Sequence, residues 1–447
     1  MITTSRLPRR RALKLGAAAL AGPLVHIRTA GAAGKLNVGP WDHWVPAGNA
    51  VMRKQMQDWA DKNKVELNID FITNIGGKRV ITANGEAQAK TGHDMLSLSA
   101  WEAAPFTDLL EPVNDIMDRL TKQYGPTNAV FEYLGTTGDR WFALPTSWGT
   151  QNKSPCGRIS MLKDIAGLDV LAMYPARDER TEASKLWTMD AQLKAAEACH
   201  KAGVPFGIGI GTTGDSVDTI GGFFSTFGAE LVDAKGQPQV KSDAVRQALD
   251  YCARLAKFLP DNTISYDDTS NNKALIAGKS ALIYNPPSAW AVAKRDAPDV
   301  AADCWTFPAP VGPAGRCMPV VPNFFTIWKF APNRSAAKDL IEHLSHRDLV
   351  RERITAVDGY DNPPFATMTD FPIWGEVGPP TGTVFHYPIR PIHDTTPMVS
   401  GFPAPPEIGV KMYQRGTMTS MVARLHTGQK MQDVLSWAEN EIEGFTR

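Results

Sequence analysis

A chain of 447 residues is longer than one hydrophobic core usually serves, so two lobes are expected. Hydrophobic content of 43% and charged content of 21% exclude a disordered or fibrous chain. Formal charge is zero overall, but residues 1–32 hold Arg6, Arg9, Arg10, Arg11, Lys14 and Arg28 with no acid; the remainder has 41 basic against 47 acidic residues, a net of about −6 that argues against a nucleic-acid partner.

The N-terminus has the layout of an export signal: a basic start, an apolar stretch over residues 15–27 and the small residues Ala30, Gly31 and Ala32, so residues 1–32 are expected to be cleaved from the mature protein. The apolar stretch is too short and too interrupted by Gly22, Pro23 and His26 to span a bilayer. The run from Arg9 through Arg11 to Lys14 is similar to a twin-arginine signal, with Ala12 where that pattern prefers Phe; a general secretory signal with an extra Arg is the alternative. No Cys follows the stretch, so a soluble periplasmic protein without a lipid anchor is expected. Five Cys leave at least one unpaired, and a disulfide between Cys304 and Cys317, at the two ends of one turn, fits an oxidising compartment. Cys199 and Cys252 fall in helical stretches as small hydrophobes, and neither CxxC nor a Cys/His cluster points to a metal or cofactor.

In chain order, residues 35–38 read as a strand that breaks at Gly39 and Pro40 into Trp41, Asp42, His43 and Trp44, after which Asn49 caps a helix to about residue 63. Residues 65–72 alternate like a strand, 81–90 are helical and 93–98 form a third strand, the opening of a parallel α/β sheet. Ligands lie beyond the carboxyl ends of such strands, which selects residues 41–44 and 99–101. A helix follows Leu109, Glu111 and Pro112; a strand over residues 139–145 carries the chain onward; an Ala-rich helix follows Trp187 to residue 202, and a glycine-rich strand and turn lead to Gly214. Residues 242–258 read as a capped helix, and Pro-rich loops over 362–406 precede helices over 412–426 and 431–443.

The stretch 272–330 gathers the most specific features: a helical run with Ala274, Leu275 and Ile276, a stop at Gly278, a strand over 280–284 ending in Asn285, a short helix with Trp290, two strands flanking a Pro/Gly turn, and a helix opened by Asn333. This order resembles the helix, "GKxAL" strand, "PxPxGPxG" loop and "xPNrsAAkdLIeHL" helix of family 1 extracellular solute-binding proteins of ABC importers, the maltose-binding-protein class. Leu109 to Pro112, the crossing at Ala143, Leu144 and Pro145, and the Trp187 segment resemble further pieces of that family, and residues 223–240 resemble its hairpin. The chain departs from it at Gln151 to Cys156, where the family carries a Tyr/Asn/Lys/Asp turn. The resemblance implies a periplasmic-binding-protein-like α/β fold: two lobes joined by a hinge, with residues 33–144 and 320–365 in one and 145–319 and 366–447 in the other. It also implies a ligand cleft between the lobes, a small-molecule solute, and ABC permease subunits as membrane partners of a monomer.

Candidate site residues are Trp41, Asp42, His43, Trp44, Ser99, Trp101, Trp148, Tyr284, Asn285, Trp290, Asn323 and Tyr360, which follow expected strands or match cleft-facing loops of that family. An indole face offers the C–H side of a pyranose a large contact, while Asp, Asn and His satisfy hydroxyls. The competing readings are core filling for each Trp and loop capping for Asp42, Asn285 and Asn323. No HExxH, GxSxG or P-loop is present, and the glycines at 207–214 lack dinucleotide spacing, so binding without catalysis is expected. Few basic residues fall in the expected cleft loops, which selects a neutral sugar, oligosaccharide or polyol. The alternatives are an exported carbohydrate-active enzyme that pairs Asp42 with a second carboxylate, and a ligand sensor on the same fold.

Overall fold

The computed structural model describes residues 34–175, 181–285, 287–376 and 395–445; the export-signal reading lies outside them. Alternating apolar residues build β1 (Lys35–Gly39), β2 (Glu66–Ile69) and β3 (Met95–Ser99), connected by helices Pro46–Asn63 and Lys78–Ala89. β1 pairs in parallel with both β2 and β3, the expected opening of an α/β sheet. The first helix starts at Pro46 rather than at Asn49, because Pro needs no N–H partner in a first turn. Asn49 instead bonds back to the loop, accepting from His43 N at 3.0 Å and donating to Asp42 at 2.7 Å.

A two-residue hairpin, β4 (Thr136–Thr137) with β5 (Arg140–Trp141), leads into β6 (Leu144–Asn152), and β7 (Pro155–Arg158) follows almost without a break. β7 is the middle strand of a separate three-stranded sheet between β8 (Leu282–Tyr284) and β9 (Cys304–Thr306). The long β10 (Arg316–Ile327) returns to the first sheet, pairing antiparallel with β3 and β6, while its first four residues pair with β11 (Thr395–Met398). β9 and β10 therefore flank the Pro/Gly turn as expected but enter different sheets. That divergence parts Cys304 from Cys317, and the expected disulfide between them is absent.

Two apolar cores result. In the first, β3 and β10 are buried on both faces, with Met95, Phe325 and Ile327 turned to one and Leu96, Leu98 and Phe324 to the other, as period-two alternation in a covered sheet requires. Met368, Phe371, Ile373 and Trp374 pack into this core as well. The second is built from helices Met189–Lys201, Gly214–Thr226, Asp243–Ala256, Thr417–His426 and Met431–Phe445 around Tyr284, Trp305 and Phe307. Three expectations change here. Residues 223–226 end a helix, leaving only a Val232 to Pro238 bridge of the expected hairpin. The glycine-rich strand is an extended segment tied to β8 by Gly207 N to Leu282 O. The expected helix over 412–426 is two, Pro406–Arg415 and Thr417–His426, split where Gly416 takes φ 57°.

β6 carries a wide bulge: Asn323 of β10 faces Thr146 and Val321 faces Gln151, so residues 147–150 oppose Pro322 alone. Pro322 has no N–H to leave unpaired there. Thr150 stitches the bulge, its hydroxyl donating to Thr146 O at 2.6 Å and accepting from Asn323 N at 2.8 Å. Gly149 sits at φ 80°, and a Cβ on it would lie 2.6 Å from the Trp41 ring. Gly149→Ala should therefore combine left-handed backbone strain with a clash and lower stability by about 2–4 kcal/mol, read as a fall in the denaturant midpoint; an unchanged midpoint would show that the bulge relaxes freely.

Candidate functional site at the crossing strands

The bulge places a polar group beside the chain's passage from one core to the other. His43 Nδ1 accepts from Val45 N at 2.9 Å, so Nε2 carries the proton and donates to Asp361 Oδ1 at 3.0 Å. Gly149 N donates to the same oxygen at 3.0 Å. The side chains of His43 and Asp361 are fully buried, and the imidazole is ringed by Trp41, Trp148 and Tyr360 at centroid distances of 4.8, 4.8 and 4.9 Å. Trp148 Nε1 donates to Trp41 O, Tyr360 OH to Gln151 Oε1, and Asn323 Nδ2 to Gly149 O. Several buried polar atoms around this group have no hydrogen-bond partner: Asp361 Oδ2, Asn323 Oδ1, Asn152 Nδ2 and both amide atoms of Asn362. Buried polar atoms are paired in the large majority of cases, so such a concentration is unusual.

Lys153, the next residue along the crossing, enters a second polar group. Its ammonium is bonded to Asp215 and lies 3.9 Å from Asp218, two residues of the helix that Thr213 caps. Asp215 also accepts from Asn271 at 2.9 Å and Asn285 at 3.2 Å, and Asn285 donates to Asn272 at 3.0 Å. Burial alone would lower the Lys153 pKa, but the carboxylates of Asp215 and Asp218 outweigh it and raise it. Burial pushes Asp218 up to about 7 against the pull of Lys153. Around these groups Trp44, Gln151, Asp268 and Asn272 are half-buried, with side chains that solvent reaches.

The twelve candidate residues divide accordingly. Trp41, His43, Trp148, Asn323 and Tyr360 meet at the first group, with Asp42 and Trp44 at its edge, and Asn285 belongs to the second. Ser99 binds Arg79 at 2.6 Å beside Glu102. Trp101 is core: its indole donates to Ser400 O and packs on Gly409. Tyr284 is core too, bonded to Gln192 within the second cluster. Trp290 packs in a small satellite core with Lys294 5.2 Å over its ring. Convergence of all twelve on one place is thus not what the fold provides. The candidate list lacks Asn152, Lys153, Asp215 and Asp218, and of the loop from Tyr360 to Pro364, which resembles a ligand-covering loop of the family, it takes Tyr360 but not Asp361 or Asn362. The departure from the family pattern at Gln151 to Cys156 is the signal that could have singled out Asn152 and Lys153.

Residues 56–375 match the family model described as bacterial extracellular solute-binding protein. The chain belongs to that family. Solved structures agree on the fold. Maltose-bound MalE3 of Thermotoga maritima superposes with a TM-score of 0.70 at 18% identity, covering 92% of this chain and 99% of that one. An ABC transporter solute-binding protein of Thermotoga lettingae bound with alpha-D-tagatose gives 0.71 at 17% identity, covering 92% and 100%. One from Agrobacterium radiobacter K84 in complex with ribitol gives 0.69 at 15% identity, covering 92% and 98%. No curated protein matches the chain at a significant level. Among the described residues of this family member, no helix is long and apolar enough to cross a membrane.

The raised Asp218 pKa has a defined sign. Unfolded, this carboxyl titrates near 3.8, and folded near 7, so its contribution to stability is fully present below about pH 4 and is lost as pH rises through about 7. Asp218→Asn should remove that loss: its melting temperature relative to wild type should climb between pH 4 and pH 8. A difference that stays flat across this range would show that Asp218 is ionised throughout.

Proposed function

We propose that the protein is the solute-binding component of an ABC importer and that it takes up a neutral polyhydroxyl solute, a sugar, oligosaccharide or polyol, between its two cores. The observation that carries this reading is the meeting of unpaired amide and carboxylate groups beside the passage from β6 to β7. Hydroxyls donate and accept at once and can pair with Asn152, Asn323, Asp361 and Asn362 together. The basic groups nearby already have partners: Lys153 has Asp215, Arg79 has Glu102, and Arg353 donates to Gln55 and Leu344 O, which supports a neutral ligand over an anionic one. The ligands of the maltose-, tagatose- and ribitol-bound relatives are of the same chemical class.

On this reading residues 33–144 with 320 to about 374 form one lobe and the rest of the mature chain the other. Parting of the lobes along β6 and β10 opens the buried polar atoms to solute, and closure presents the loaded protein to a permease. The half-buried Trp44, Gln151 and Asn272 make the first contacts. Export by the twin-arginine route, cleavage after about residue 32, a monomeric periplasmic protein without a lipid anchor, and binding without turnover complete the proposal.

A thermal-shift screen against neutral carbohydrates and polyols tests the ligand class, because a solute that binds only the folded state raises its melting temperature. With the solute so found, Gln151→Ala and Asn362→Ala should each weaken affinity in calorimetric titration by about 1–3 kcal/mol, one to two decades, whereas Tyr284→Phe should not. A shift produced only by anionic solutes, or full affinity in both variants, would overturn the reading.

A further inference from the structure

The three-stranded sheet holds two cysteines that the ligand site does not use. Cys156 lies on the middle strand β7 and Cys304 on the edge strand β9. The register sets Cys156 opposite Thr306 and Cys304 opposite Arg158. The two cysteines are thus diagonal neighbours two residues apart, with side chains on the same face of the sheet. Both are fully buried in one apolar cluster with Leu275, Ile283 and Trp290, and the Cys304 thiol is hydrogen-bonded to the Cys156 sulfur. The other three have different surroundings. Cys199 and Cys252 are buried in the second core, and Cys317 sits against Thr226.

We propose that Cys156 and Cys304 are joined by a disulfide in the exported protein, tying β9 to the strand by which the chain enters the second core. Extracellular proteins mature where thiols oxidise, and forming a bond of about 2.05 Å draws a diagonal pair, ordinarily about 7–8 Å apart, into the separation of under about 7 Å that a disulfide spans at Cα, a shift that the short edge strand β9 can make. The chemistry is thiol–disulfide exchange. One cysteine loses its proton and attacks a disulfide oxidant, which releases one thiolate and leaves a mixed disulfide. The second cysteine loses its proton and displaces the oxidant's remaining sulfur, so that two protons and two electrons leave the protein and the oxidant departs as a dithiol. Because both thiols are buried, exchange takes place after export, when the three-residue edge strand opens locally. The bond closes a loop over most of the second core, the geometry in which a cross-link restricts the unfolded chain most.

The test is a thiol count on the exported protein purified without reductant, denatured and alkylated. Three of the five cysteines should label before reduction and five after it, and peptide mapping should recover the Cys156 and Cys304 peptides joined. Reductant should lower the wild-type melting temperature by roughly 5–10 °C and leave that of a Cys156→Ala, Cys304→Ala double variant unchanged. Five labelled cysteines before reduction, or a bond joining any other pair, overturns the proposal. A wild-type melting temperature that reductant does not move overturns the stabilising role.

Discussion

One carboxylate oxygen organises the crossing. Asp361 Oδ1 is bonded by His43 Nε2 and by Gly149 N, and so joins the loop after β1, the bulge of β6 and a loop more than three hundred residues from the first. Hydrogen bonds to a buried carboxylate are among the strong ones, and removing such an acceptor strands its donors away from water. The left-handed Gly149 is what lets its N–H point at Asp361 while the Trp148 side chain next to it drops into the first core. Everything downstream inherits this placement, since Gln151, Asn152 and Lys153 are the next residues of the same strand.

The same economy explains how legible the chain was. The parallel opening could be read from residues 35–98 because alternation and turn residues mark each strand, and the crossing at Ala143, Leu144 and Pro145 because those residues resemble the crossing strand of the family. The site was half legible. Trp41 and His43 follow the end of β1 and meet Trp148 and Asn323, which lie inside β6 and β10 at the bulge, and Tyr360, whereas Tyr284 ends a strand and is core. Strand position says where a backbone stops and not which way its last side chain turns. Asp42 was favoured over Asp361 for the same reason: proximity to β1 is visible in sequence, but a partner such as His43 at the far end of the chain is not. Gly416 splits a helix whose apolar spacing runs straight through it, a case in which one backbone position overrides a pattern.

The two polar groups differ in physical character. Around Asp361 the groups are mostly neutral amides and one imidazole, with aromatic rings on three sides. Around Lys153 they are titratable: one ammonium among the carboxyl groups of Asp215, Asp218 and Asp268, supported by Asn271 and Asn285. Buried ion pairs add little net stability against their desolvation cost, and their better-attested contribution is to select one arrangement among several. In this chain they hold Lys153, the first residue beyond β6.

The second core has a further consequence, for how the protein comes into being. Its apolar interior is lined by residues from Leu162 onward, yet Met421, Val422, Val434, Leu435, Ala438 and Ile442, all fully buried, come from the last two helices of the chain. A nascent chain emerging from the ribosome can begin the first sheet early, but β10, which completes that sheet, and these helices, which seal the second core, are late products of translation. Most of the polypeptide must therefore wait, with apolar surface uncovered, until synthesis is nearly over, which makes protection of the unfinished chain a requirement set by its topology.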